Sequence, residues 1–141
     1  MKTTLKIAIL AFLVVVALGG CKHPPMSSGY PPTKLASLIA DADHVVITNR
    51  FADRVPRYRG FSLMISGDEA RQIVRAVSSS QHCAPTDSIF DWDLQFYREA
   101  QLLADVHLQG SNFVFEGEEY FDGHVLERLY HDLLKRTGHQ F

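Results

Sequence analysis

Three segments in the second half of the chain alternate apolar and polar side chains, and this pattern constrains the fold more than any other. Residues 90–97, 102–109 and 113–116 place an apolar residue at every second position. Successive side chains of a strand point to opposite faces, so the segments predict strands with one buried and one solvated face. Gly110 and Ser111 separate the last two segments and predict a two-residue hairpin turn. We therefore expect an antiparallel meander.

The rest of the chain supplies further strands and helices. Residues 44–51 are rich in β-branched side chains and residues 61–65 alternate, so both predict strands. Apolar side chains at helical spacing predict helices over residues 34–42, 66–78 and roughly 123–137. The predicted fold class is α+β: an antiparallel sheet of about five strands, in the order helix-β-β-helix-β-β-β-helix, with the helices packed on one face.

Two of these helices begin with capping signals. Ser66 precedes the second helix and is followed by Glu69, a spacing that predicts a reciprocal capping box. Asp122 precedes the last helix, where its carboxylate is expected to accept a hydrogen bond from the first turn.

The N-terminus has the features of an export signal. Lys2 and Lys6 lead into a run of twelve apolar residues, Ile7 to Leu18. A membrane-spanning helix needs about 20 apolar residues, so this run fits the core of a signal peptide instead. Gly19 and Gly20 then supply the small side chains that signal cleavage requires.

Leu18, Gly19, Gly20 and Cys21 resemble the lipobox of bacterial lipoproteins. In that class the cysteine receives a thioether-linked diacylglyceryl group and usually an N-acyl chain. Two or three chains anchor a protein stably where one does not. Lys22 follows the cysteine where Asp would favour retention in the inner membrane, so the resemblance implies an outer-membrane lipoprotein that faces the periplasm. An ordinary secretory signal with a chance cysteine is the alternative.

The chain is thus predicted to have three parts. Residues 1–20 form the signal peptide, and residues 21–33 hold the lipidated cysteine and a linker stiffened by four prolines. Residues 34–141 form a single α+β domain, a length that suits one modest hydrophobic core.

The predicted mature chain is mildly acidic. The full sequence has 14 Lys and Arg residues against 16 Asp and Glu, and removal of the two leader lysines leaves 12 against 16, a net charge of −4. Domains that bind nucleic acid carry a basic surplus, so we expect no nucleic-acid partner. The acidic balance also argues against a second, electrostatic contact with the membrane.

The hairpin turn sets a predicted register for the last two strands of the meander. A turn at Gly110–Ser111 pairs Gln109 with Asn112, and counting back along both strands brings Asp105 opposite Glu116. The apolar faces agree in this register, which supports it.

A three-residue loop over residues 98–100 would extend the row of carboxylates to a third strand. It pairs Asp93 with Asp105, and Asp91 with His107. Neighbouring strands lie about 4.8 Å apart, and like charges directly opposite each other destabilise a sheet. Four ways to compensate for this repulsion stay open: loop arginines, a bound cation, a raised carboxyl pKa or a basic partner. The predicted partner or cation face consists of Asp93, Asp105, Glu116, Asp91 and His107.

Basic residues cluster in the loop after the first predicted strand, around Asp53. Runs of charge are usually a solvated loop, and contact with a partner is the alternative. The residues of this predicted basic loop contact are Arg50, Arg54, Arg57 and Arg59.

These features predict a lipid-anchored periplasmic domain that is a binding or envelope-accessory module rather than an enzyme. The sequence shows no nucleophile, nucleotide or metal motif, so we expect no cofactor. The expected partners are the membrane, through the lipid on Cys21, and an envelope protein or peptide. Two alternatives stay open: a metal-assisted hydrolase that uses the row of Asp93, Asp105 and Glu116, and an inhibitor of an envelope hydrolase.

Overall fold

The computed structural model contains one antiparallel sheet of seven strands and three helices within the described part of the chain. The structure describes residues 29–51, 54, 61–87, 89, 91–136 and 138. The predicted signal peptide and Cys21 lie outside these residues. Among the described helices, none has the length and apolar character needed to cross a membrane.

Strands and helices follow each other in an irregular order along the chain. The helices are α1 (Thr33–Ile39), α2 (Gly67–Ser78) and α3 (Val125–Arg136). The strands are β1 (His44–Asn49), β2 (Ser62–Ser66), β3 (Gln81–His82), β4 (Trp92–Arg98), β5 (Gln101–Gln109), β6 (Asn112–Phe115) and β7 (Glu118–Phe121). Within the sheet the strand order is β2-β1-β4-β5-β6-β7-β3, and every neighbouring pair is antiparallel.

The predicted α+β class with an antiparallel sheet is confirmed, whereas the predicted number of strands is wrong. The two strands that the sequence pattern missed are β3 and β7. β3 has only two residues, too few for any alternation to show. β7 follows Glu116 and Gly117, which form a tight turn with positive φ at both residues, 50° and 83°. Such a turn continues the meander directly from β6 into β7.

The hydrophobic core lies against one face of the sheet. β4 buries Trp92, Leu94 and Phe96 and leaves the residues between them partly exposed. Strand alternation therefore delivers one apolar face, as the sequence predicts. The helices add their own buried side chains to the same cluster, namely Leu35, Ile39, Ala70, Ile73, Ala76, Val77, Leu126 and Tyr130.

One predicted cap is confirmed and the other is wrong. Asp122 accepts a hydrogen bond from the N–H of Leu126 through its Oδ2 at 2.5 Å, so it caps the start of α3. Ser66 does precede α2, but its side chain makes no capping hydrogen bond. The carboxylate of Glu69 instead bonds to Arg136 at 2.5 Å, which joins α2 to α3 and removes the acidic half of the capping box.

The β4–β5 hairpin differs from its predicted register by two residues. A two-residue turn replaces the predicted three-residue loop, because Arg98 pairs with Gln101. A bulge between Phe96 and Tyr97 adds a second shift of one residue. Since side chains alternate with a period of two, the combined shift leaves the buried and exposed faces unchanged but exchanges the cross-strand neighbours. The predicted pairing of Gln109 with Asn112 is confirmed.

The one-sided core leads to a stability prediction with a matched control. Leu94 is 1% exposed and Leu102 is 47% exposed. Leu94→Ala should lower the free energy of unfolding by about 2–5 kcal/mol, because it leaves a cavity in the core. Leu102→Ala should change it by only about 0.5 kcal/mol. Urea unfolding of the two variants measures both values, and equal losses would contradict the assignment of the two faces.

Candidate functional site

The sheet face opposite the core is formed by alternate residues of β2, β1, β4 and β5, and we call this surface the open face. Every one of its side chains is exposed or half-buried. Because the register of these strands is known, the residues fall into three cross-strand rows. The rows are Ser66–His44–Tyr97–Leu102, Met64–Val46–Gln95–Asp105 and Ser62–Thr48–Asp93–His107.

Asp93 lies in the third row, and its carboxylate contacts an imidazole and a guanidinium group. The Nδ1 atom of His107 lies 2.7 Å from Asp93 Oδ1. The Nε atom of Arg50 lies 3.4 Å from the same oxygen. Arg50 follows β1 directly, so the end of that strand delivers its guanidinium to the open face. One arginine of the predicted basic loop thus supplies the compensation that the carboxylates require.

Asp105 lies diagonally across from Asp93, and its negative charge is less well compensated than that of Asp93. Neighbouring side chains displace part of the water around its carboxylate, and together with the charge of Asp93 they raise its pKa. A hydrogen bond with Gln95 and the nearby Arg50 oppose this rise in pKa. Two of the compensations proposed from the sequence therefore act together: an arginine at Asp93, and a raised pKa at Asp105.

The structure brings together three of the five predicted face residues. Asp93, Asp105 and His107 each offer one oxygen or nitrogen atom, and these atoms all lie within 4.8 Å of one another. Carboxylate oxygens and an imidazole nitrogen are chemically suited to a divalent cation. Here the carboxylate of Asp93 already pairs with the guanidinium of Arg50 and lies within hydrogen-bonding distance of His107.

The other two predicted residues lie elsewhere, and their predicted pairings are wrong. The pairing of β5 with β6 ends at His107 and Val114, so Glu116 reaches the following turn, where its carboxylate pairs with Lys34. Asp91 precedes β4, and its carbonyl accepts a hydrogen bond from the N–H of Arg50 at 2.9 Å. Partial burial raises the pKa of Asp91.

Four apolar or aromatic side chains lie in the first two rows of the open face. Met64 is 67% exposed and Leu102 is 47% exposed. Between them Val46 and Tyr97 are half-buried, and the Tyr97 ring stacks on His44 with a centroid distance of 5.2 Å. Met64 lies opposite Val46 and Leu102 lies opposite Tyr97, so each exposed apolar side chain has a half-buried apolar or aromatic neighbour on the adjacent strand.

The outer side of β7 is covered by the loop that follows β3. Glu119 on β7 is only 4% exposed. Its carboxylate accepts hydrogen bonds from the N–H and the hydroxyl of Thr86, both at 2.7 Å, and from Asn112 at 2.6 Å. The N–H of Cys83 donates to the carbonyl of Glu119 at 2.9 Å. These bonds hold residues 83–86 against Glu119, so the outer side of β7 is not part of the open face.

The predicted basic loop is described only in part. The guanidinium of Arg50 is engaged with Asp93. The N–H of Arg54 donates to the carbonyl of Phe51 at 2.8 Å in a turn. Arg57 and Arg59 lie outside the described residues.

A serine–histidine–glutamate contact at the β5–β6 turn was not expected from the sequence. Ser111 Oγ lies 3.2 Å from His124 Nδ1, and Glu127 Oε2 lies 3.0 Å from the same nitrogen. A catalytic triad needs the serine and the acid on different imidazole nitrogens. Ser111 is also 5% exposed. The contact therefore joins the β5–β6 turn to α3 and does not activate a nucleophile.

Comparisons with known protein families, with curated proteins and with solved structures found no match to this chain.

The two aspartates with shifted pKa values predict opposite effects of pH on stability. Asp105 has a raised pKa in the folded state, so the folded chain retains a proton that the unfolded chain has lost. Relative to Asp105→Asn, the wild-type chain should lose free energy of unfolding as the pH rises above about 4, the ordinary carboxyl pKa. The loss should be complete above the raised pKa.

Asp43 provides the matched control. The N–H of Glu99, followed by His44, lowers the pKa of Asp43. Relative to Asp43→Asn, the wild-type chain should therefore be stabilised above the ordinary carboxyl pKa, and this advantage should be lost as the pH falls through the lowered value. Urea unfolding of both variants across a pH series measures the two slopes. Slopes of the same sign would contradict the electrostatic description of the open face.

Proposed function

We propose that this chain is a lipid-anchored protein of the bacterial cell envelope that binds a partner protein through its open face. The observation that carries the proposal is the composition of that face. Met64, Tyr97 and Leu102 provide exposed or half-exposed apolar and aromatic area, and Asp105 adds a carboxylate beside them. Methionine and aromatic residues are enriched in protein interfaces relative to the remaining surface.

Anchoring is supported by the leader and by the length of the segment that follows it. Leu18 to Cys21 resemble a lipobox, and the sequence between Cys21 and the predicted domain is rich in proline. Eight residues lie between Cys21 and Tyr30, so the start of the domain would lie at most roughly 30 Å from the lipid. A lipid on Cys21 would therefore hold the open face within reach of other proteins at the same membrane.

The expected partner is a protein that presents an apolar side chain next to a lysine or arginine. Asp93 is already paired with Arg50 and His107, whereas Asp105 keeps an unfavourable interaction with Asp93. A cation from a partner would relieve this repulsion, and the apolar contacts would contribute about 25 cal/mol for each Å² removed from water. The acidic net charge of the mature chain would favour encounter with a basic surface.

The proposal is tested by photo-crosslinking from two matched positions of the full chain in its native membrane. Leu102 on the open face is 47% exposed, and Leu38 on α1 is 42% exposed. A photoreactive side chain at position 102 should give one discrete protein adduct that the probe at position 38 does not give. Asp105→Lys, combined with the probe at position 102, should abolish that adduct by charge repulsion.

Two further variants separate the parts of the proposal. A basic-to-acidic change at the contact site of the captured protein should restore the adduct with Asp105→Lys. The Cys21→Ser chain cannot accept the lipid, so it should leave the membrane fraction and give little adduct. Identical adduct patterns from positions 38 and 102, or an adduct indifferent to Asp105→Lys, would overturn the docking role of the open face.

A further inference from the structure

A cleft of about 240 Å³ lies where the chain enters α1. It is near β7, toward the opposite edge of the sheet from β2. One wall is the segment that leads into α1, and the other is the β6–β7 hairpin. The lining of the cleft includes Tyr30, Lys34, Glu116, Glu118 and Tyr120.

The segment before α1 is fixed against the short edge strand β3. The carbonyl of Tyr30 accepts a hydrogen bond from the N–H of His82 at 3.0 Å. A Cβ atom on Gly29 would lie 2.2 Å from the carbonyl oxygen of His82, so only glycine permits this approach of the two backbones. The N–H of Thr33 then donates to the carbonyl of Pro31 at 2.8 Å and turns the chain into α1. These contacts hold Tyr30 in place beside the hairpin.

Aromatic rings form much of the cleft and its support. Tyr30 stacks on His82 with a centroid distance of 4.7 Å and an interplanar angle of 11°. His82 in turn meets Tyr120 edge to face at 5.8 Å. Tyr30 is 55% exposed, whereas Tyr120 is 6% exposed and belongs to the core. The cleft therefore has an accessible aromatic wall on a rigid base.

Two carboxylates flank this aromatic wall. Glu118 Oε2 accepts a hydrogen bond from the Tyr30 hydroxyl at 3.3 Å and lies 2.7 Å from His82 Nε2. The carboxylate of Glu116 pairs with the ammonium of Lys34. The side chains of Glu118 and Glu116 are 51% and 53% exposed, so both carboxylates remain accessible to solvent. Burial and then the neighbouring Tyr30, Glu118 and Glu116 raise the pKa of Tyr120, in keeping with a negative potential in the cleft.

We propose that this cleft binds an organic cation, an alkylammonium or guanidinium group, through the ring of Tyr30 and the carboxylates of Glu118 and Glu116. Aromatic faces attract cations, and carboxylates make charge-assisted hydrogen bonds with ammonium and guanidinium donors. The volume is below the roughly 300–1,000 Å³ of drug-sized sites, so it suits a short amine or a single basic side chain. The proposal is independent of the open face.

Lys34 is the internal competitor of such a ligand. Its ammonium already pairs with Glu116, which demonstrates that the cleft accommodates a cation beside that carboxylate. An exposed ion pair of this kind contributes little to stability, so an external cation can displace it. Removal of the Lys34 charge should therefore tighten binding, a gain that damage to the fold would not produce.

The test uses the full chain purified in detergent and titrated with agmatine, which carries both a guanidinium and an ammonium group. Side-chain NMR signals of Tyr30, His82 and Tyr120 should shift and saturate with a Kd of about 1 mM. The affinity for agmatine should fall as salt is added. Pentanol, a neutral chain of similar length, should give no saturable shift. Glu118→Gln should weaken agmatine binding about tenfold, and Lys34→Gln should tighten it severalfold.

Control variants keep the outcome interpretable. Glu99→Gln removes an exposed carboxylate on the β4–β5 turn and should leave the affinity for agmatine unchanged. Tyr30→Leu removes a 55% exposed ring and should weaken binding without loss of the folded NMR spectrum. The absence of saturable shifts, equal binding of pentanol, or the same agmatine affinity in the Glu118 and Lys34 variants as in the wild-type chain would each overturn the proposal.

A peptide with blocked termini and one central arginine distinguishes the two sources of the cation. Tighter binding of the peptide than of agmatine would assign the cleft to a basic side chain of another protein. Equal or tighter binding of agmatine would assign it to a free amine. Both results support a cation site, and neither depends on whether Asp105→Lys disrupts docking at the open face.

Discussion

The structure depends on a sheet that packs its core against one face. Alternation along β1, β4 and β5 places Val45, Leu94 and Val106 on the same side, and all three are at most 1% exposed. The helices bury their apolar faces in this cluster, so its burial holds sheet and helices together. The same alternation leaves the opposite side chains of these strands in contact with solvent. An open surface is therefore a direct consequence of how the chain folds.

The open face also shows how a sheet tolerates adjacent carboxylates. Two basic groups, from Arg50 and His107, converge on one oxygen of Asp93. Asp105 has a weaker set of favourable interactions, and its pKa is raised. A basic group of a partner would therefore relieve more electrostatic repulsion beside Asp105 than beside Asp93. The cleft at Tyr30 differs, because its two carboxylates are half-exposed and lie beside aromatic rings.

Alternation and turn chemistry were sufficient to predict the faces of the central strands and the hairpin at Gly110. The register of the β4–β5 hairpin was not predictable, because a tight turn with Glu99 at a φ of 53° and a bulge after Phe96 each moved it by one residue. Sequence pattern favours glycine or asparagine at positive φ, so a glutamate there gives no turn signal. The alternation of buried and exposed residues is also the same before and after a register shift of two residues, so it does not distinguish the two registers.

Contacts between distant residues were equally hidden from local pattern. Arg50 reaches Asp93, Lys34 reaches Glu116, and the latter pair is separated by 82 positions in sequence. Neither contact follows from helical or strand spacing, because each depends on how elements come together in three dimensions. Sequence pattern does not reveal the cleft for the same reason: Tyr30 lies in the predicted linker, and Glu118 lies on β7, which the pattern does not predict.

The most direct test of the account compares oxidation of Met64 in the purified chain and in the native membrane. Met64 is 67% exposed at the edge of the open face, and Trp92 on the core face is 4% exposed. Brief exposure to an oxidant followed by mass spectrometry measures both sites, since an exposed methionine forms the sulfoxide readily. Met64 should be oxidised rapidly in the purified chain and more slowly in the native membrane, and Trp92 should be protected in both. Equal oxidation rates of Met64 in the two preparations would contradict a docking role for the open face.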